Sequence, residues 1–182
     1  MGTIRVWTKQ NLQVLEALQQ TGRHVAKKDF ILRNDDSALM KPCYDWLVQA
    51  LPQQSRPADA DYPIWLSFRA DATMLPTPGC VILELEIDEA LITRLNVAKW
   101  GAINNFSYLP ADEADLRRHR RLLKEYGISD AKACMSRFYP ELRAEIEASW
   151  SRVFDDRVKL GNDLAYGLVW EVRESWIRSV LR

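Results

Sequence analysis

The chain has 182 residues, 47% of them hydrophobic, which suits one domain with a sizeable core. Its 25 Lys and Arg balance 25 Asp and Glu, and a net charge of zero argues against a non-specific nucleic-acid binder, which needs a basic surface. Three widely spaced cysteines (Cys43, Cys80, Cys134) form no CxxC or Cys/His cluster, so no zinc site is expected and a reducing, cytoplasmic setting is. No apolar run approaches the roughly 20 residues of a membrane span, so no membrane partner is expected. Seven tryptophans supply aromatic surface for a core or for a pocket wall.

Ile4 to Trp7 reads as a first strand, with Thr8 as the N-cap of a helix carrying Leu12, Val14, Leu15 and Leu18. Gly22 closes that helix as a left-handed cap. A short strand over His24 to Ala26 and an irregular connection to Leu32 follow, then turn chemistry at Asn34-Asp35-Asp36-Ser37. Pro42 suits the first turn of a second helix, with Tyr44, Leu47, Val48 and Leu51 as its apolar stripe. A polar loop from Pro52 to Pro63 leads to a strand over Ile64 to Phe68, on which Trp65 and Ser67 share one face. Arg69 to Gly79 is a loop.

Cys80 to Ile87 is the organising strand. Val81, Leu83, Leu85 and Ile87 alternate with Ile82, Glu84 and Glu86, which gives one core face and one polar face. It reads as scaffold, with Glu84 or Glu86 facing a cleft as the functional alternative. A short helix is expected from Asp88 to Leu95. Lys99 to Leu109 reads as loop, and Asn104 and Asn105 make it a functional candidate.

Asp112 to Tyr126 reads as a charged helix stopping at Gly127. Its Arg117-Arg118-His119-Arg120-Arg121 run is the basic cluster, read as a solvated face with a phosphate or partner contact as the alternative. The charge around His119 is expected to disfavour its protonation. Ser129 caps a short helix and Pro140 begins another, with Leu142, Ile146 and Trp150 on one stripe. Leu164 to Val172 reads as a last strand and Glu174 to Leu181 as a last helix. The elements lack the regular strand–helix alternation of a doubly wound sheet. They predict a single α+β domain over residues 1–182, with a mixed, mostly antiparallel sheet of about five strands and five or six helices.

Neither a glycine-rich phosphate loop nor a nucleophile elbow nor a zinc-binding HExxH is present. What remains is a set of polar groups on strands and loops: Arg5 and Thr8 on the first strand, Ser67 beside Trp65, Glu171 beside Tyr166 and Trp170, and Asn104 with Asn105. A carboxylate flanked by aromatics can stabilise positive charge developing in a transition state.

The phrases Val6-Trp7-Thr8 with Gln10, Tyr44-Asp45-Trp46-Leu47, Tyr62-Pro63-Ile64-Trp65, Val81-Ile82-Leu83-Glu84-Leu85 and Val169-Trp170-Glu171-Val172 to Trp176-Ile177 resemble, in this order, a bacterial family known only as a domain of unknown function. More distantly, a strand ending in Thr8, then a helix, then Gly22 resembles the start of small ADP-ribosyltransferase-like domains. That resemblance implies NAD as substrate, no metal, and a protein or nucleic-acid acceptor. It gives Arg5 the dinucleotide, Ser67 the nicotinamide ribose and Glu171 the oxocarbenium-like centre. Thr8, Trp65, Asn104 and Asn105 are then the further nucleotide-binding candidates. The His-x-Thr form of that motif would place histidine at position 6, where this chain has Val6. A different class of function is a non-catalytic protein-interaction module of a defence or toxin–antitoxin locus, consistent with the missing catalytic motifs.

Overall fold

The computed structural model describes residues 2–28, 35–73 and 75–181. They form two compact units, Met1–Arg94 with Ala165–Arg182, and Leu95–Leu164, and each is treated by itself. The irregular connection toward Leu32, and Asn34 of the expected turn, lie outside the described residues.

In chain order the elements are β1 (Thr3–Asn11), α1 (Leu12–Thr21), β2 (Arg23–His24), α2 (Asp35–Ala50), β3 (Ile64–Ser67), β4 (Cys80–Asp88), β5 (Thr93–Asn96), α3 (Val97–Asn104), α4 (Glu113–Tyr126), α5 (Asp130–Met135), α6 (Pro140–Ser149), β6 (Ala165–Val169), β7 (Val172–Arg173) and β8 (Ile177–Leu181). A six-stranded sheet runs β5-β6-β3-β1-β4-β8, and β2 pairs with β7 in a small second sheet. Every registered pairing is antiparallel. The α+β class with a mostly antiparallel sheet is therefore the observed one.

β4 does what its alternation demands. Val81, Leu83, Leu85 and Ile87 are all fully buried. It pairs with β1 without a break from Thr3↔Asp88 to Asn11↔Cys80. That register puts Val6 beside Leu85, on the face that Leu15 and Leu18 of α1 cover, together with Ile64, Leu66, Val169 and Val172. Each such side chain taken from water contributes about 1.5–3 kcal/mol. Glu84 and Glu86 are engaged on the sheet surface: Glu84 meets Arg5 at 3.3 Å and accepts from Ser179, and Glu86 accepts from Thr3 and Arg178.

Several boundaries differ from expectation. β1 runs four residues past Trp7, and the N-cap of α1 is Asn11, whose side chain accepts from the Gln13 N–H, not Thr8. α2 begins at Asp35, so Pro42 lies inside it and Asp35, Asp36 and Ser37 are helical. Asp88 caps only a single 3₁₀ turn, Glu89–Leu91, and β5 follows where a helix was expected. The expected loop from Lys99 begins instead within α3, because Asn96 caps a helix by accepting from the Lys99 N–H. The expected last strand breaks at Trp170-Glu171, so that β6 stays in the large sheet and β7 joins β2. After a 3₁₀ turn at Glu174–Trp176 the chain ends in β8, an edge strand and not a helix. Ile177, Ser179 and Leu181 alternate with Arg178 and Val180 there, and β4 supplies the partner that a lone pentapeptide lacks.

In the second unit α4 has both expected ends. The Asp112 side chain accepts from the Asp115 N–H, and Gly127 adopts φ +63°. Ser129 caps α5 and Pro140 opens α6, as expected. Leu142, Ile146 and Trp150 are buried.

Candidate functional site

β1 and β3 pair at Trp7↔Ser67. Beyond that pair the Thr8 hydroxyl donates to the Trp65 carbonyl at 2.8 Å, a side chain spanning what a ladder bond would otherwise close. Pro63, with no N–H, cannot extend the ladder. Where the strands part there is a cleft of about 760 Å³. Thr8, Lys9, Gln10 and Asn11 line one side, Pro63, Ile64 and Trp65 another. α1 adds Gln13, Val14 and Ala17, and the segment from Arg23 to Lys27 closes it. Its volume lies in the roughly 300–1,000 Å³ range of small-molecule sites.

The lining has a clear electrostatic bias. Among the described residues it holds Lys9, Arg23 and Lys27 and no carboxylate. Arg23 is committed: Nε donates to Glu171 at 2.8 Å and the two terminal nitrogens to Asp59 at 3.2 and 2.7 Å. These bonds, Asp59's first, raise the Arg23 pKa and keep the guanidinium charged. Lys27 is held by the Asp59 carbonyl and faces its carboxylate at 3.8 Å. Gln10 donates to the Thr8 hydroxyl at 2.8 Å, which fixes that hydroxyl as donor to Trp65. Trp65 is braced edge-on by Tyr166 and Tyr44, with ring centroids 5.4 and 6.1 Å away.

Of the residues singled out from sequence, Thr8 and Trp65 come together in this cleft. Arg5 does not: strand alternation sends it to the opposite face from Thr8, where it is exposed beside Glu84. Ser67 bonds its own turn, donating to the Arg69 carbonyl at 2.7 Å. Tyr166 sits opposite Ser67 and Val169 opposite Ile64, so Glu171 lies five residues along β6 and beyond from Ser67's partner. A fully extended run of that length spans at most about 17 Å at roughly 3.3 Å per residue. Glu171 borders a smaller cavity of about 220 Å³ with Trp170, Arg173 and Trp176. Burial opposes its ionisation, but Arg23 and Arg173 outweigh burial and hold its pKa below the ordinary carboxylate value. Asn104 and Asn105 belong to the second unit, at the end of α3. The Asn104 side-chain oxygen is buried without a hydrogen-bond partner among the described residues, and Asn105 caps the helix and donates to the Gly101 carbonyl.

The family's model matches residues 5–178. The chain belongs to DUF3841, a domain of unknown function. No curated protein and no solved structure matches it. The DUF3841 match takes in both compact units and every lining residue of the cleft. Among the described residues no helix is long and apolar enough to cross a membrane, and no cluster of three or more His, Cys, Asp or Glu is placed to hold a metal.

Sequence reasoning missed Lys9, Gln10, Arg23, His24 and Lys27. The signal for the first two was the polar run Thr8-Lys9-Gln10-Asn11, which continues a strand where a helix was expected to start. For the rest it was a basic stretch directly after the Gly22 cap. His119 also departs from expectation. The arginines beside it in sequence turn outward, while its ring turns inward. Nε2 meets Asp130 at 2.7 Å and Nδ1 meets Glu145 at 3.3 Å, with Tyr108 stacked on it at 3.9 Å. Burial opposes its charge, but the two carboxylates outweigh burial and raise its pKa.

Proposed function

We propose that the cleft between β1 and β3 binds a nucleotide, with its phosphates on the basic side and its base against Trp65. The observation that carries this is the lining itself: among the described residues, three cations, no carboxylate and an edge-braced tryptophan in one cleft of about 760 Å³. Anions are drawn to such a concavity, and an aromatic wall suits a base. The ADP-ribosyltransferase resemblance makes NAD the first dinucleotide to test. Transfer of ADP-ribose would further need a carboxylate at the ribose; Glu171 borders the neighbouring cavity and is linked to the cleft through its bond to Arg23, so the reading stops at nucleotide binding.

The test is calorimetric titration with NAD and ATP of the wild type and of Lys9→Glu. Reversing one charge that faces the phosphates is expected to weaken binding about tenfold, near 1.4 kcal/mol. Equal affinity in the two proteins refutes the placement of the phosphates. A second reading, a protein-interaction module, is supported by the apolar surface of the second unit, where Phe138 is 80% and Met135 64% exposed. No binding of NAD or ATP up to millimolar concentration transfers the function to that surface.

A further inference from the structure

We propose that His24 is the proton-linked contact of the cleft, donating to a ligand phosphate as imidazolium, so that binding draws one proton from solvent onto the ring. The inference rests on the nucleotide reading of the cleft and deepens it.

Among the charged and titratable groups of the lining, Arg23 has all three guanidinium nitrogens engaged, and Lys27 is tied to Asp59. The Lys9 ammonium and the His24 ring make no hydrogen bond or ion pair with a described residue. These two therefore hold the donors still to be satisfied. His24 sits in β2, opposite Val172 of β7, and is neither fully buried nor fully exposed. Burial lowers its pKa below the ordinary imidazole value, so the ring is neutral at neutral pH.

The surrounding charges act in the same direction. Lys9 faces the cleft from β1, Arg23 and Lys27 flank His24 on its own segment, and Arg173 comes from β7 opposite Arg23. Asp59 and Glu171 offset part of this through Arg23, and Asp61 accepts from the Lys28 N–H nearby. α1 contributes only Gln13, Val14 and Ala17. A phosphate seated by Lys9 reverses the balance. It supplies negative charge and acceptor oxygens to the ring, and the imidazolium becomes the favoured form. By linkage, affinity must then tighten as pH falls, up to about tenfold per pH unit between the ring's free and bound pKa values.

The chain's two histidines make the test direct. His119 is 1% exposed and clamped by two carboxylates, so its ring signal serves as an internal reference. Imidazole C–H resonances would be followed by NMR at pH 7 with NAD, ATP and the uncharged adenosine. His24→Asn assigns the signal, and calorimetry in buffers of different ionisation enthalpy counts protons. The expected result is movement of the His24 signal to the imidazolium position with NAD or ATP and not with adenosine. Binding would take up as much as one proton, and the pH dependence of affinity would flatten in His24→Asn. Nucleotide binding that leaves the His24 signal in place overturns the inference and spares the nucleotide reading. Failure of both NAD and ATP to bind overturns the two together.

Discussion

Replacing His119 with Gln tests how a buried imidazole is held in α4. As imidazolium it donates to Asp130 at 2.7 Å and to Glu145 at 3.3 Å. A hydrogen bond to a charged group contributes about 1.5–3 kcal/mol. The longer bond belongs at the low end, and both carboxylates keep some solvent contact, at 20% and 31% side-chain exposure, which screens them. Together these give about 3 kcal/mol for the protonated ring. The folded-state pKa is the raised one, so this contribution is complete below the ordinary imidazole range and declines as pH rises through the folded value. A neutral ring keeps one N–H and turns a lone pair toward the second carboxylate, which leaves about half, near 1.5 kcal/mol. Urea unfolding of wild type and His119→Gln at a series of pH values from 5.5 to about 9 reads the difference directly, and taking the difference cancels the contribution of His24. The gap between the two proteins should narrow by about 1.5 kcal/mol as the ring deprotonates. A gap that is constant with pH, or that widens as pH rises, refutes the reasoning.

Thr8→Val removes the hydroxyl between Gln10 and the Trp65 carbonyl while nearly keeping its shape, and should cost about 1–3 kcal/mol by urea unfolding, because Thr8 is buried. The same variant should weaken NAD or ATP binding measured by calorimetry, since the wall that positions Trp65 is loosened. Gly167→Ala places a methyl 2.9 Å from Ile92 and 3.2 Å from Leu66 and Phe68, and should lower stability by about 1–3 kcal/mol in thermal denaturation; an unchanged midpoint would show that β6 can move away from β3.

The parts of the fold legible in the sequence are those whose signal is local. β4 announced itself through four apolar residues at period two, and α4 through Asp112 and Gly127, an acceptor and a left-handed cap that act within one turn. What misled was a local signal overridden from far away. Thr8 looks like an N-cap, but β4 pairs all the way to Asn11 and holds Thr8 in a strand. Glu174 to Leu181 reads as a helix until β4 offers an edge. The cleft was less legible still. Its walls come from three separated stretches, and Arg23 finds Glu171 across 148 residues, a pairing no spacing rule contains. Thr8 and Trp65 were recognised as polar and aromatic strand residues, but their proximity follows only from the single β1–β3 registered pair.

That parting of the strands gives the cleft two walls of unequal stiffness. The Thr8 to Asn11 side is stitched to β4 through consecutive registered pairs, and moving it would unzip the central sheet. The backbone of the Arg23 to Lys27 side is laddered only by the two-residue β2–β7 pair and the Ala26–Tyr62 bridge, with Arg23 and Lys27 adding side-chain bonds to Glu171 and Asp59. Local opening is drawn from the segments with the fewest such bonds. The side that carries Arg23, His24 and Lys27 is therefore the one that can adjust, while the sheet side stays fixed.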